Sequence, residues 1–275
     1  FADPFFSVRK VVFFAFLPYN GKKGKERVTM EYRILGKTGL KISRMGFGGI
    51  PIQRIDAEGT KALMHKLLEN GINYIDTARG YTVSEEYLGI GLEGIREHFV
   101  LATKSMSRTA EAMAKDIDIS LKNLRTDYID LYQIHNAPPA DVEKVCSPGG
   151  ALEALTAAKK AGKIGNIGIT AHSLETFRMA LELPWVETIM FPYNIVEDQA
   201  KELIHACAEK SIGFIAMKPL AGGAIEDAVT ALRYVCSNPD VTVVIPGMAD
   251  IAELNQNLAA VNDSSPLSVE EEAKM

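Results

Sequence analysis

Leu124-Arg125-Thr126-Asp127-Tyr128-Ile129-Asp130-Leu131-Tyr132-Gln133-Ile134-His135 is the stretch on which the fold turns. Its apolar run, Tyr128–His135, reads as a strand ending in a titratable side chain. Toward the N-terminus lie an amphipathic helical pattern at Thr109–Leu124, an apolar run at Phe99–Lys104 and a helical pattern at Ser84–Arg96. Then come a run at Ile72–Asp76, a helical pattern at Ala57–Glu69 and a run at Arg44–Gly48. The same alternation continues toward the C-terminus. Runs at Ile164–Thr170, Thr188–Phe191, Gly213–Met217 and Val241–Ile245 alternate with helical patterns at Gly149–Ala161, Leu174–Glu182, Asp198–Lys210 and Ile225–Cys236. Eight apolar strands separated by helices argue for a parallel sheet covered by helices. Eight such units in about 245 residues fit a closed (β/α)8 TIM barrel, of the α/β class, better than an open doubly wound sheet. A short hairpin, Tyr32–Leu35 and Leu40–Ile42 joined by Gly36–Gly39, should precede the barrel and plug its N-terminal mouth.

The rest of the sequence bounds the reading. Of 275 residues, 47% are hydrophobic and 24% charged, which is globular composition and excludes wholesale disorder. The net charge of −5 argues against a nucleic-acid partner, and no stretch has the ~20 apolar residues that span a bilayer. Cys146, Cys207 and Cys236 form no CxxC pair, so they read as free thiols of a reducing, cytoplasmic compartment, with no metal site within this chain. Residues 1–29 carry Arg9-Lys10 and the apolar Val11–Leu17 but no small-residue cleavage site, so they read as an extension outside the fold. Met30 is then the natural start of a single barrel domain, 30–275. Ser268–Glu272 opens like a capped helix just before Met275, which reads as a C-terminal truncation. Oligomeric state is not legible.

Gly46-Phe47-Gly48-Gly49 lacks GxGxxG spacing, and Gly89–Gly94 has it only within a helical pattern, so a Rossmann site is disfavoured. Chemistry concentrates instead at three strand ends, where a barrel carries its active site. Consecutive strands end in Asp76, Lys104 and His135, and the loop after the first of them carries Tyr81. Singly, such an aspartate usually caps a helix and such a histidine usually fills a core. Together they compose a proton donor. The tyrosine's ordinary pKa of about 10 would be lowered by the ammonium, the carboxylate would keep the lysine charged, and the imidazole could orient a carbonyl oxygen.

Asp76-Thr77-Ala78-Arg79-Gly80-Tyr81, Leu101–Lys104 and Leu124–His135 together resemble the aldo/keto reductase signature, and the resemblance runs from Tyr32 to about Asn257. It implies a catalytic tetrad of Asp76, Tyr81, Lys104 and His135, a small carbonyl substrate, and NADP or NAD bound across the barrel mouth. It further implies that Tyr193 stacks on the nicotinamide and that Lys218, Pro219, Leu220, Gly222 and Gly223 form a pyrophosphate loop. Gly247, Met248 and Asn257 would lie at the adenosine end. Three positions depart from the family pattern. A Ser-Asn pair that grips the carboxamide appears as Thr170-Ala171, with His172 next in line. A glutamine before the stacking tyrosine appears as Met190. An arginine for the 2′-phosphate appears as Glu253, an acid suited to a ribose diol instead. The details look closest to bacterial members with a ferredoxin-like tail, so a 4Fe-4S cluster is an expectation only for a segment beyond Met275. The loop Asn136–Pro148 is the expected substrate contact. The leading function is NAD(P)H-dependent reduction of an aldehyde or ketone; the alternatives are a cofactor-binding regulatory subunit with little turnover, and a Schiff-base aldolase using Lys104 or Lys218.

Overall fold

Along six of the eight barrel strands the side chains alternate between two apolar layers. The inner layer holds Tyr74, Ala102, Leu131, Met190, Ile215 and Val243. The outer layer holds Ile75, Leu101, Tyr132, Phe191, Phe214 and Val244, packed under the helices. This alternation is the geometry of a sheet curled on itself.

The computed structural model describes residues 30–263 and 267–274; the extension 1–29 lies outside the described residues. The chain opens with an antiparallel hairpin, β1 (Tyr32–Ile34) and β2 (Lys41–Ser43), in which Tyr32 faces Ser43 and Ile34 faces Lys41. The barrel strands follow as β3 (Phe47–Gly48), β4 (Tyr74–Asp76), β5 (Val100–Ser105), β6 (Ile129–Ile134), β7 (Ile164–Thr170), β8 (Thr188–Pro192), β9 (Gly213–Met217) and β10 (Val243–Val244). All run parallel, each beside its neighbour in the chain. The seam closes where Gly46 N–H donates to Val244 O at 2.9 Å and Gly48 N–H to Pro246 O at 3.0 Å. The eight predicted runs are the eight strands.

The hairpin is the expected plug. Leu35 and Ile42 enter the inner layer from its N-terminal end. Gly213 makes the space: a Cβ there would meet Leu35 Cδ1 at 2.6 Å.

The helices are α1 (Ala57–Glu69), α2 (Ser84–Gly91), α3 (Ala110–Asn123), α4 (Pro139–Cys146), α5 (Ala151–Lys160), α6 (Leu174–Leu181), α7 (Lys201–Glu209), α8 (Ala228–Ser237), α9 (Ile251–Val261) and α10 (Val269–Lys274). Several start where a side chain caps them: Asp56, Thr109, Ser173, Asp227 and Asp250 each accept a backbone N–H of the first turn. Each cap contributes about 1 kcal/mol. Two expectations are corrected. The helix predicted to reach Arg96 ends at Gly91, and Gly94 beyond it takes φ +78°. The segment Asn136–Pro148, read as a loop, contains α4, because Pro139 occupies a first-turn position that needs no N–H. The capped helix at Ser268 is present as α10. Ser268 Oγ accepts from Glu271 N–H at 3.2 Å, and Glu271 Oε2 accepts from Ser268 N–H at 2.8 Å. Arg233 of α8 bonds the same carboxylate at 2.6 Å.

Arg44, just before β3, is almost wholly buried. Its guanidinium donates to the carbonyls of Cys236 (2.8 Å), Asn238 (3.1 Å) and Val241, gathering the end of α8 onto the barrel's N-terminal rim. Replacing it leaves these acceptors without a partner. Arg44→Met should lower unfolding free energy by about 2–4 kcal/mol in urea titration. An unchanged midpoint would show that the three carbonyls do not need this donor.

Candidate active site

Inward parity decides which strand-end side chains meet. Tyr74 points inward on β4, so Asp76 does too; Ala102 sets the same for Lys104 on β5, and Leu131 for Gln133 and His135 on β6. The structure accordingly brings Asp76, Lys104 and His135 to one mouth. Lys104 Nζ forms an ion pair with Asp76 Oδ2 and donates to Thr77 O at 2.8 Å. Gln133 Nε2 reaches Asp76 Oδ1 at 3.3 Å. Asp76, Lys104 and Gln133 are all buried.

Tyr81 arrives on the loop between β4 and α2. Arg79 N–H donates to Lys104 O at 3.0 Å, tying that loop to β5, and the Arg79 guanidinium pairs with buried Glu85 at 2.8 Å. Glu85 also accepts from Thr103 (2.9 Å) and Ser120 (2.7 Å). Thr82 stands at φ +42° with its hydroxyl on Gln53 Oε1 at 2.7 Å. The loop therefore presents Tyr81 rigidly. Lys104 Nζ lies 4.8 Å from the Tyr81 ring centroid, and the Tyr81 and His135 rings meet edge to face at 5.9 Å.

The protonation states follow from this packing. Burial raises the Tyr81 pKa above its ordinary value, although the charge and hydrogen bond of Lys104 pull the other way. The lowering anticipated from sequence is thus overturned: desolvation outweighs the ammonium, and Tyr81 carries its proton at neutral pH. Burial likewise raises Asp76, against the opposing charge of Lys104. Lys104 is itself raised: burial acts to lower it, but Asp76 and Tyr81 together outweigh that. His135 is pushed down to about 3 by burial and by Lys104, His172 and Arg108. It is a neutral imidazole, and its Nδ1 is buried with no hydrogen-bond partner among the described residues.

The positions implied for a nicotinamide cofactor divide. Lys218 (φ +53°), Ala221 (φ +47°), Gly222 (φ +71°) and Gly223 (φ +99°) build an irregular exposed loop after β9. A Cβ at Gly222 or Gly223 would meet nothing within 4 Å, and Lys218 forms no ion pair among the described residues. That loop, with Leu220 half-buried in it and Pro219 buried beneath, fits a pyrophosphate. Gly247 is exposed beside the seam and Asn257 is buried in α9. The other positions turn away from the mouth or hold bonds of their own. Tyr193 is not at the mouth. Met190 points inward, so Tyr193 three residues on points outward, its ring on Tyr234 at 5.8 Å and its hydroxyl taking a bond from Asn238 at 3.3 Å. Met248 is fully buried in the outer layer and offers no side-chain contact. Thr170 Oγ1 already accepts from Asn136 N–H at 2.8 Å. Glu253 sits at the start of α9, where its carboxylate accepts from Ala249 N–H at 2.7 Å, a capping role the sequence reading missed. Also missed were Gln133 and Met217, which extends the inner layer to the mouth from β9.

A parallel (β/α)8 barrel with an aspartate, lysine, tyrosine and histidine converging at its C-terminal rim defines a class, and comparison with known proteins places the chain in it. The profile of the aldo/keto reductase family matches residues 44–230, and the chain belongs to that family; it is an NAD(P)-dependent oxidoreductase of aldo/keto reductase type. L-galactose dehydrogenase of Arabidopsis thaliana is 28% identical over 294 residues, covering 88% of this chain and 92% of that protein. The aldo-keto reductase YhdN of Bacillus subtilis is 33% identical over 198 residues, 64% of this chain and 57% of its own. The holo form of aldo-keto reductase AKR11C1 from Bacillus halodurans superposes with a TM-score of 0.78 at 26% identity, covering 89% of this chain and 94% of that one. No helix among the described residues is long and apolar enough to cross a membrane.

The depressed His135 pKa has a direct spectroscopic consequence. Between pH 5 and 8 its ring resonances should stay those of a neutral imidazole, whereas exposed His205, raised by its bond to Asp240, should titrate within or above that range. An unfolded histidine takes up its proton near pH 6.5, so acidification from there toward pH 3 should weaken folding. A His135 titration near pH 6.5 would contradict the burial.

Proposed function

We propose that the protein reduces an aldehyde or ketone to an alcohol, with Tyr81 as proton donor. The observation that carries this is the meeting of a protonated phenol, a buried ammonium and a neutral imidazole at one rim. When bound, a nicotinamide cofactor supplies the hydride to the carbonyl carbon. The chain does the rest. Tyr81 Oη–H and the outward nitrogen of His135 hold the carbonyl oxygen, and the Tyr81 proton passes to it. Lys104 stabilises the phenolate left behind. Asp76 keeps Lys104 charged and fixes its position, and Gln133 holds the second carboxylate oxygen.

The loop Lys218–Gly223 would hold the pyrophosphate through backbone N–H groups and the Lys218 ammonium. The start of α9 bears Asp250 and Glu253. Two acids there disfavour a 2′-phosphate, which supports NAD over NADP as the preferred cofactor.

Tyr81→Phe should cut turnover by ~10²-fold or more while the dissociation constant for NADH stays nearly unchanged, as steady-state kinetics and fluorescence titration would show. Unchanged turnover would remove Tyr81 from the chemistry. Glu253→Gln keeps an oxygen for Ala249 N–H and removes the charge. It should raise affinity for NADPH relative to NADH severalfold with little change in melting temperature; a constant ratio would place the adenosine end elsewhere.

A further inference from the structure

Asn136, the residue after His135, has a backbone that a non-glycine residue adopts only under constraint, at φ +47°. Three hydrogen bonds impose it. Asn136 N–H donates to Thr170 Oγ1 at 2.8 Å, Arg108 Nη2 donates to Asn136 O at 3.1 Å, and the Asn136 side-chain amide meets His172 Nδ1 at 2.9 Å. Arg108 is itself braced by Asp141 at 2.9 Å and by His135 O at 2.9 Å. Loops after two adjacent strands, β6 and β7, are thus locked so that an asparagine and a histidine stand together on the C-terminal face, directly beside His135. Both are exposed there.

What this pair offers a ligand can be worked out from donor counting. His172 is held below its ordinary pKa by partial burial and by Lys218, so its ring is neutral, with one N–H and one lone pair. If the Asn136 oxygen faces Nδ1, then Nδ1 carries the proton; the Asn136 NH2 is left as a donor and His172 Nε2 as an acceptor. If the amide is turned over, the NH2 donates to a bare Nδ1; the oxygen is left as an acceptor and Nε2–H as a donor. Either arrangement leaves one donor and one acceptor. A carboxylate, with acceptors only, matches half of it. A primary amide, with a carbonyl oxygen and an NH2, matches all of it.

We infer that Asn136 and His172 form a two-point clamp for the carboxamide of the nicotinamide ring, an inference that rests on the reading of the mouth as the site of carbonyl reduction. The ring carries its carboxamide on the carbon next to the one that gives the hydride, so whatever grips it must stand beside Tyr81 and His135. The other side chains at that level do not serve. Thr170 accepts the Asn136 N–H and has a single hydroxyl, which cannot span both ends of an amide, Ala171 has no polar atom, and Met190 is apolar and buried.

The test compares the dissociation constants of NADH and of its reduced 3-acetylpyridine analogue, in which a methyl group replaces the NH2, by fluorescence titration. The wild-type protein should favour NADH by about five- to tenfold, the worth of one hydrogen bond to a prepared partner. In Asn136→Gly/His172→Leu the ratio should fall to about one. Glycine accepts the positive φ, so this variant keeps the backbone, and circular dichroism with a thermal melt verifies its fold. NADH binding with an undiminished ratio in the folded double variant overturns the clamp alone. Failure of the wild-type protein to bind either NADH or NADPH overturns the reading of the mouth and the clamp with it.

Discussion

The buried ion pair between Asp76 and Lys104 is the constraint around which the mouth is organised. Lys104 is stripped of water at the end of β5, and an unpaired ammonium there would lose its proton. Asp76, on the neighbouring strand, prevents that, and Gln133 one strand further takes the remaining carboxylate oxygen. The pair is therefore a product of strand adjacency, and it depends on register. A slip of one residue in β4 or β5 would turn one partner to the helical layer and leave the other charge alone.

Rigidity around this pair comes from polar networks outside the bore. Glu85 is buried beneath the loop that bears Tyr81 and takes bonds from β5, α3 and Arg79. Arg108 does similar service beneath His135 and Asn136. The mouth is thus framed by two buried or half-buried charged anchors, one under each of the loops that approach the carbonyl. Neither anchor touches the reacting position. Each trades desolvation for a fixed backbone, consistent with a site that holds its geometry before ligand arrives.

Much of this was legible because parallel strands buried on both faces write themselves as continuous apolar runs, and the structure returns all eight. The strand-end residues Asp76, Lys104 and His135 were legible because each stands two or four places from an inward apolar side chain. The same rule, applied to Met190 and to Ile215, would have sent Tyr193 outward and brought Met217 to the mouth; a motif resemblance overrode it there. The burial of the Met248 side chain was not legible for a related reason, since a loop position says little about which way a side chain turns. The rise in the Tyr81 pKa was not legible at all. Proximity to Lys104 can be guessed from a sequence, whereas the depth of burial that outweighs it belongs to the packed molecule. Helix α4 was hidden by Pro138-Pro139, which reads as a stiff loop until the second proline is seen to open a helix.

The narrow seam has a consequence for biogenesis. β3 and β10 each contribute only two residues to the sheet, and Met45 meets its partner Val244 almost two hundred residues later in the chain. A nascent polypeptide leaving the ribosome must therefore carry an unpaired, apolar margin while those intervening residues are added. Sealing of the cylinder waits until β10 has been made, which gives a holdase that whole interval to act on this margin.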